Sequence, residues 1–562
     1  MAEATMGGGQ ARPSLFLRNA TGLVKAWSTF DAFVYSFWSV NLITLGLYGM
    51  SFVYTVPDGQ VLLAIGLFGV LTTFLVITYA MLVSVMPRTG GDYAWQSRVL
   101  GGGPGFVLSI TGWWFTLFLW APIYANILVV QFFTPLAYTL GWTDLAAFFA
   151  SGNGVFVSCL IVLAFVSVVV TLGMETYAQI QKICFWIGLV GLAVVCLLLL
   201  FNDQSSFQAA FNREATRLFN AGPNAYQATI DTATKGGFAG SNFGTIVFGS
   251  VGLLLPWLAF YLLWPNWGAT LYGEVRGAKD IRKPFWSMFW GLWVTVALIA
   301  LVVLLIVKTM GWNFYQAANS LYWGSLYGGP APIIPQWPYP VMFAGWLVDN
   351  TFFQALLILV MGLWFFGWAG TLFLSSTRVI FAAAFDRVLP SWAANISAKR
   401  RVPYGALALM IIPSLVVSAI WAYKPSFQSV FLDATAVLAL TFLATVVAAI
   451  ILPWRRKDLY DASPIANWKI AGIPTISIVG VITGIFLVYM LIEWSFSSTN
   501  LYGTDLNLQN IFVSTASGST LNSSYYFIAT YVIAVVIYVI AYFYRKNQGI
   551  DLNRIHHEIP VE

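Results

Sequence analysis

The chain has 562 residues, of which 59% are hydrophobic and only 9% charged, against roughly 25% charged in a soluble globular domain. That balance excludes a water-soluble fold and makes lipid the solvent. The formal charge of +6 is no nucleic-acid signal, because its basic residues lie in short strips between long apolar runs.

About 20 apolar residues cross a hydrocarbon core of ~30 Å. Twelve such runs follow one another at 29–55, 60–85, 105–137, 154–172, 178–201, 243–271, 285–309, 341–384, 403–423, 428–453, 472–495 and 525–544. The spacing therefore predicts an all-α polytopic membrane protein with 12 transmembrane helices. Residues 1–28 are polar and Gly-rich and lack the apolar core of a signal peptide, so they read as a cytoplasmic N-terminal segment. In the first run, Ser36, Ser39, Asn41, Thr44, Gly46, Gly49 and Ser51 interrupt the apolar pattern. Asn41 and Thr44 are three apart and share a helix face. Packing through small residues accounts for Ser36 and Ser51, whereas Ser39 to Gly46 marks a candidate helix break. The third and eighth runs exceed one span, so tilt or an extension into water is expected. Cys159, Cys184 and Cys196 sit in runs four and five as small apolar groups. Lys182, at the start of run five, is placed to snorkel to the interface.

The sixth run carries Pro256, Pro265, Asn266 and Gly268, then ends in the mixed-charge strip EVRGAKDIRKP from Glu274 to Pro284. Pro265 removes a donor and disrupts the helix. A second break is predicted over Trp264 to Gly268. Broken helices expose backbone polar groups that lipid tolerates only against a cavity or a bound solute, and secondary transporters place substrate sites there. The candidate substrate residues are Ser39, Asn41, Thr44, Gly46, Trp264, Asn266 and Gly268. Glu274 and Arg276 are read as a local exposed pair, which contributes little. In run eight, the hydroxyls of Ser375, Ser376 and Thr377 are a candidate set for sodium with carbonyls of the first break, although such hydroxyls more often bond their own helix. Arg378, Asp386, Arg387 and Lys399-Arg400-Arg401 read as headgroup anchors, with ion pairs there as a potential latch. Trp113-Trp114 and Trp364-Trp368 read mainly as packing.

Charge placement sets the orientation. Of 27 Lys and Arg, 22 fall in one set of loops with both termini and 5 in the other. Positive residues stay inside, so both ends are expected in the cytoplasm and the chain in the plasma membrane. Segments 202–240, 310–340 and 496–524 then lie outside as ordered caps, with a gating lid as the alternative. The chain divides into the segment 1–28, a core 29–453 whose halves 29–201 and 243–453 would form an inverted repeat, spans 11 and 12 over 454–545, and a tail 546–562. Both histidines, His556 and His557, are in that tail. An embedded hydrolase needs a His, carboxylate or metal cluster at depth, and the runs offer none. The reading is not an enzyme.

Four stretches carry a family resemblance. They are Pro87 to Tyr93 (PRTGGDY) with Ser97, Arg98 and Gly101; Glu274 to Pro284; Ser376 to Pro390 (STRVIFAAAFDRVLP) with Val402-Pro403; and Pro453 to Tyr460 (PWRRKDLY) with Gly472-Ile473-Pro474. In order and spacing the chain resembles the amino acid–polyamine–organocation permeases over most of residues 15–495. The resemblance implies a leucine-transporter-like fold, a 5+5 inverted repeat plus two C-terminal helices with spans 1 and 6 discontinuous, and uptake or exchange of amino acids. Where relatives carry a Gly-Ser-Gly-like break, this chain has Asn41 to Gly46; their Gly-Phe-Glu-like break is replaced by Trp264 to Gly268. Some relatives hold a Lys in span five, at the position of Gly188.

Half-helix N-termini suit a carboxylate, and carbonyl ends suit an ammonium. Such a site needs no charged side chain, so neutral amino acids are the expected cargo. A cationic amino acid or polyamine would favour a buried Asp or Glu; that permease, or a non-transporting amino acid sensor, stands as the alternative. No cofactor is expected, only a coupling Na+ or H+. The partners are an amino acid and the lipid bilayer, with no nucleic acid and a monomer or homodimer as the assembly.

Overall fold

The computed structural model describes residues 22–559 except 58, 245, 327, 425–433 and 497–522. The expected cap 496–524 and the chain ends 1–21 and 560–562 therefore fall largely outside the described residues. Among the described residues, twelve helices are long and apolar enough to cross a membrane. Span 1 is Thr29–Met50, span 2 Val61–Val85, span 3 Gly102–Thr139, span 4 Gly152–Thr171, span 5 Met174–Phe201 and span 6 Phe248–Glu274. Span 7 is Arg282–Thr309, span 8 Thr351–Phe385, span 9 Tyr404–Tyr423, span 10 Thr435–Arg455, span 11 Thr475–Ser495 and span 12 Tyr526–Asn547. The only strands among the described residues are Lys469–Ile470 and Ile473–Pro474, an antiparallel pair between spans 10 and 11.

The eighth apolar run departs from expectation. Instead of one span over 341–384, a short helix Pro340–Gly345 precedes a new helix that starts at Thr351. Asn350 decides this, because its side chain accepts from Phe353 N at 2.9 Å and caps the new helix. The 35 residues that follow extend about 52 Å at 1.5 Å per residue. That length carries Arg378 into the protein interior at one end of the bundle.

Two faces of the bundle differ. On the face bearing the chain ends, the segment before span 1 is strapped to the end of span 6: Trp27 N donates to Glu274 O at 3.1 Å, and Arg276 N to Trp27 O at 2.9 Å. The C-terminal helix Leu552–His557 docks beside the short helix Asp92–Val99, with His556 buried and 3.2 Å from the Tyr93 hydroxyl. The opposite face is covered by helices Gln204–Phe219, Ala225–Lys235 and Trp312–Ser325, so two of the three expected caps are ordered helices. Within them, Glu214 is fully buried between Arg213 and Arg217, and the Tyr226 and Phe314 rings stack at 4.1 Å.

Candidate functional site

Span 1 is helical from Thr29 to Val40 and then breaks at Asn41, whose φ of 48° lies in the left-handed region. Asn tolerates that conformation better than most residues, because its short amide bonds the local backbone. Here Asn41 Oδ1 accepts from Thr44 N at 3.0 Å and from the Trp364 indole of span 8 at 2.7 Å. The chain resumes as a wide π-helical turn, Leu42–Gly46, closed by Gly46 N on Asn41 O at 2.9 Å. The fit around Gly46 is snug: an added β-carbon would lie 3.3 Å from Asn41 O and 3.4 Å from Ile299. Gln131 of span 3 donates to Thr44 O at 3.0 Å, holding one carbonyl that the break releases. Ser39 does not face the break in the same sense, since its hydroxyl donates to Tyr35 O at 2.8 Å within its own helix.

Span 6 stops being α-helical at Leu262 and becomes a tighter 3-10 coil from Pro265 to Glu274. Pro265 has no N–H to continue the ladder, and a residue before proline avoids the α region. Trp264 accordingly sits at φ −106°, ψ 12°, and its carbonyl accepts from Trp267 N at 3.1 Å. The helical part of span 1 touches the span 6 break through Ser36 Oγ, which donates to Pro265 O at 2.9 Å. At Gly268 an added β-carbon would meet the Tyr35 ring at 3.5 Å, an ordinary packing distance.

All seven candidate substrate residues are buried. Several polar atoms of the two breaks make no hydrogen bond: Asn41 Nδ2, Thr44 Oγ1, Trp267 Nε1 and both side-chain atoms of Asn266. Aromatic rings connect them. Trp120 of span 3 packs on Trp264 and Trp267 at 5.8 and 6.3 Å between centroids, and on Tyr124 at 6.4 Å. Tyr124 stacks on Trp368 at 3.6 Å, one turn along span 8 from Trp364. The indoles of Trp120 and Trp368 also lack an acceptor. Burying a polar group without a partner costs about 1–3 kcal/mol, so this concentration at two helix breaks marks a place for polar atoms of a solute. Trp264 itself is satisfied, donating to Phe260 O at 2.7 Å.

Sequence patterning does not single out Trp120, Tyr124 or Gln131 and reads Trp364 and Trp368 mainly as packing, because rings in apolar runs look alike. Gln131 alone carries a signal, as an amide in an otherwise apolar stretch. Gly188, where some relatives hold a Lys, packs so closely on Trp364 that a β-carbon would lie 2.9 Å from the ring. The indole that grips Asn41 thus takes the space in which a longer side chain would sit.

The hydroxyls proposed for an ion are partly engaged. Ser375 Oγ lies 2.5 Å from the Tyr35 hydroxyl and donates to Trp267 O at 3.2 Å. Thr377 donates to Phe373 O at 2.6 Å inside its own helix, while Ser376 Oγ has no partner. Below them the charged residues differ from their expected roles. Arg378 is no headgroup anchor; it is buried and bonds Glu274 through Nε at 2.7 Å and Nη2 at 3.2 Å. Glu274 therefore pairs across to span 8 rather than with Arg276. Asp386 is likewise buried and holds Arg98 through both carboxylate oxygens. Lys182 meets Asp31 at 2.9 Å.

Toward the opposite face, a cavity of about 580 Å³ opens beyond the breaks. Tyr48, Gly49, Trp257, Phe260, Trp323 and Asn126 are among its walls. None of the seven candidate residues lines it; they lie beneath a floor that includes Tyr48, Gly49 and Phe260.

None of the curated proteins matches this chain significantly. The family described as amino acid permease matches residues 28–537, a stretch that takes in all twelve spans except the last turns of span 12. Two interrupted helices meeting among unpaired polar atoms, inside a twelve-span bundle, fit that match, and the chain belongs to the amino acid permease family.

Proposed function

We propose that this protein, a multi-pass membrane protein of amino acid transport and not an enzyme by its family, carries neutral amino acids with bulky apolar side chains across the plasma membrane, by alternating access between its two faces. In this reading the α-carboxylate is held by donors of the breaks, Asn41 Nδ2 and the Trp267 indole, with backbone N–H groups at the start of the Leu42–Gly46 turn. The α-ammonium is held by acceptors, Thr44 Oγ1 and freed carbonyls. Ser39, Gly46 and Gly268 shape the backbone, and Trp264 and Asn266 form the span 6 side.

The observation that carries the reading is the set of buried, unpartnered donors and acceptors on both breaks, with no charge on any candidate residue or on the rings that face them. A zwitterion cancels its own charge over a few ångströms, whereas a cationic side chain in low dielectric would require an acidic partner. The aromatic walls of the cavity favour an apolar cargo, since ligand pockets are lined by side chains of matching polarity. The positive-inside distribution supports cytoplasmic chain ends, and interruption of the first and sixth spans supports an inverted repeat with two added spans. Ser375, Ser376 and Thr377 remain the place to look for sodium.

The test is uptake of labelled leucine, phenylalanine and lysine into proteoliposomes, with and without sodium, beside thermal melts of the purified protein. Leucine and phenylalanine should accumulate or exchange and should stabilise the fold. A ligand at about 100 times its Kd adds roughly 2.7 kcal/mol by mass action. Stabilisation by lysine alone would overturn the assignment, and stabilisation without transport would make the chain a sensor.

A further inference from the structure

Asp92 differs from every other buried carboxylate among the described residues. Glu214, Glu274 and Asp386 each face an arginine. Asp92 is fully buried and receives only neutral donors: the Tyr79 hydroxyl of span 2 at 2.5 Å, the Trp113 indole of span 3 at 3.1 Å and the Thr445 hydroxyl of span 10 at 2.6 Å. Arg88, on the turn just before Asp92, donates to Pro87 O at 3.3 Å and does not bond the Asp92 carboxylate; the other cations on the adjoining elements are committed elsewhere. Arg378 of span 8 holds Glu274, Arg98 on the same short helix holds Asp386, Arg456 after span 10 holds Asp458, and Arg554 of the C-terminal helix faces Glu558. On that C-terminal helix, His556 lies against Tyr93.

The carboxyl also sits where the bundle must move. Immediately before it, Gly90 N donates to Thr270 O of span 6 at 2.9 Å. Gly91, at φ 38°, lies so close that a β-carbon would be 2.9 Å from Ala269 O. Trp113, which donates to Asp92, packs on Trp267 at 5.7 Å, and Tyr79 faces Asn266. Asp92 is thus coupled to the inner half of span 6 through backbone and to the span 6 break through two side chains.

Resting on the transport reading above, we propose that Asp92 is the proton-carrying residue of this permease, taking up a proton in the conformation described when the cavity side is acid and giving it up when the inner half of span 6 withdraws. Burial pushes its carboxyl up to about 6, against the pull of its three donors. An isolated carboxylate out of water favours its neutral form. Once the Gly90–Thr270 contact opens, water reaches the carboxyl and the proton leaves to the chain-end face. The cycle balances: a proton taken from water on the cavity side, past Asn266 and Tyr79, is returned to water on the other side with one solute. Acid on the cavity side therefore drives uptake.

The experiment uses the full-length protein in proteoliposomes and a uniformly labelled mixture of the protein amino acids. Counterflow against the unlabelled mixture reports transport alone; accumulation under an imposed pH gradient reports coupling. Wild type should accumulate label toward the alkaline side, up to about tenfold per pH unit for one proton per solute. Asp92→Asn should keep counterflow and lose that accumulation. Thr445→Val removes a donor to the carboxylate and should move the pH midpoint of wild-type uptake upward, which a purely structural carboxylate would not do. Should Asp92→Asn fail to fold, wild type and Thr445→Val still decide. No wild-type response to the gradient, an unshifted midpoint in Thr445→Val, or intact accumulation in Asp92→Asn would each overturn the proposal. Loss of wild-type counterflow itself would instead refute the transport reading.

Discussion

Asn41 shows how one side chain can set a functional backbone. Its left-handed φ ends the helix, and its single acceptor oxygen serves both Thr44 N and the Trp364 indole. Asn41→Ala keeps the strained φ and strands two buried donors, at about 1–3 kcal/mol each. Asn41→Asp retains the acceptor and the local conformational tolerance. The alanine variant should therefore melt well below wild type and transport nothing, whereas the aspartate variant should fold; melts and uptake of purified protein check both. Trp364→Phe should lie between them, since it removes one donor and leaves the Thr44 cap. Sequence made Asn41 visible, because an amide three residues before a threonine breaks an apolar pattern. Trp364 was not visible, because an indole that donates and an indole that packs are written with the same letter.

The interrupted elements were legible for a related reason. Proline after Trp264 and the small polar run from Ser39 to Gly46 state a local conflict with helix continuation, and local conflicts survive in the sequence. Pairing between elements leaves no such trace. Arg378 reads as a residue at a helix end near headgroups until span 8 proves long enough to bury it against Glu274. Asp92 stands inside PRTGGDY with no partner visible in the sequence, and one acidic residue behind two glycines between apolar runs is the only clue to it. The Glu274–Arg378 pair now predicts a non-additive result. Removing one partner leaves an uncompensated buried charge, at about 3–5 kcal/mol, while removing both can be nearly neutral. Glu274→Gln and Arg378→Met should each destabilise strongly, and the double variant should recover much of the loss. Thermal melts of the three proteins measure this directly, and additive losses would show that the residues act independently.

The whole molecule is closed at one end and hollow at the other. On the chain-end face, the Trp27 strap, the Glu274–Arg378 pair and the Arg98–Asp386 pair lie beneath the breaks; on the opposite face stands the cavity of about 580 Å³. Under the proposed orientation, with cytoplasmic chain ends, the closed end faces the cytoplasm, and in the proposed alternating-access cycle rocking one half of the core against the other would invert the asymmetry. Asn126 lines the cavity and is only partly buried, whereas Ser376 lies fully buried beyond the breaks. In a background with Cys159, Cys184 and Cys196 replaced by serine, Asn126→Cys should react in intact cells with a membrane-impermeant maleimide. Ser376→Cys should resist the same reagent, because that position is fully buried in this conformation. Breaking the inner ties should change that order: Glu274→Gln combined with Arg378→Met removes a fastening of the closed end, shifts the population toward the opposite opening and slows modification of Asn126→Cys. Reaction of Asn126→Cys only after the membrane is permeabilised would reverse the assigned orientation, and equal reactivity at both positions would mean that the breaks do not separate two compartments.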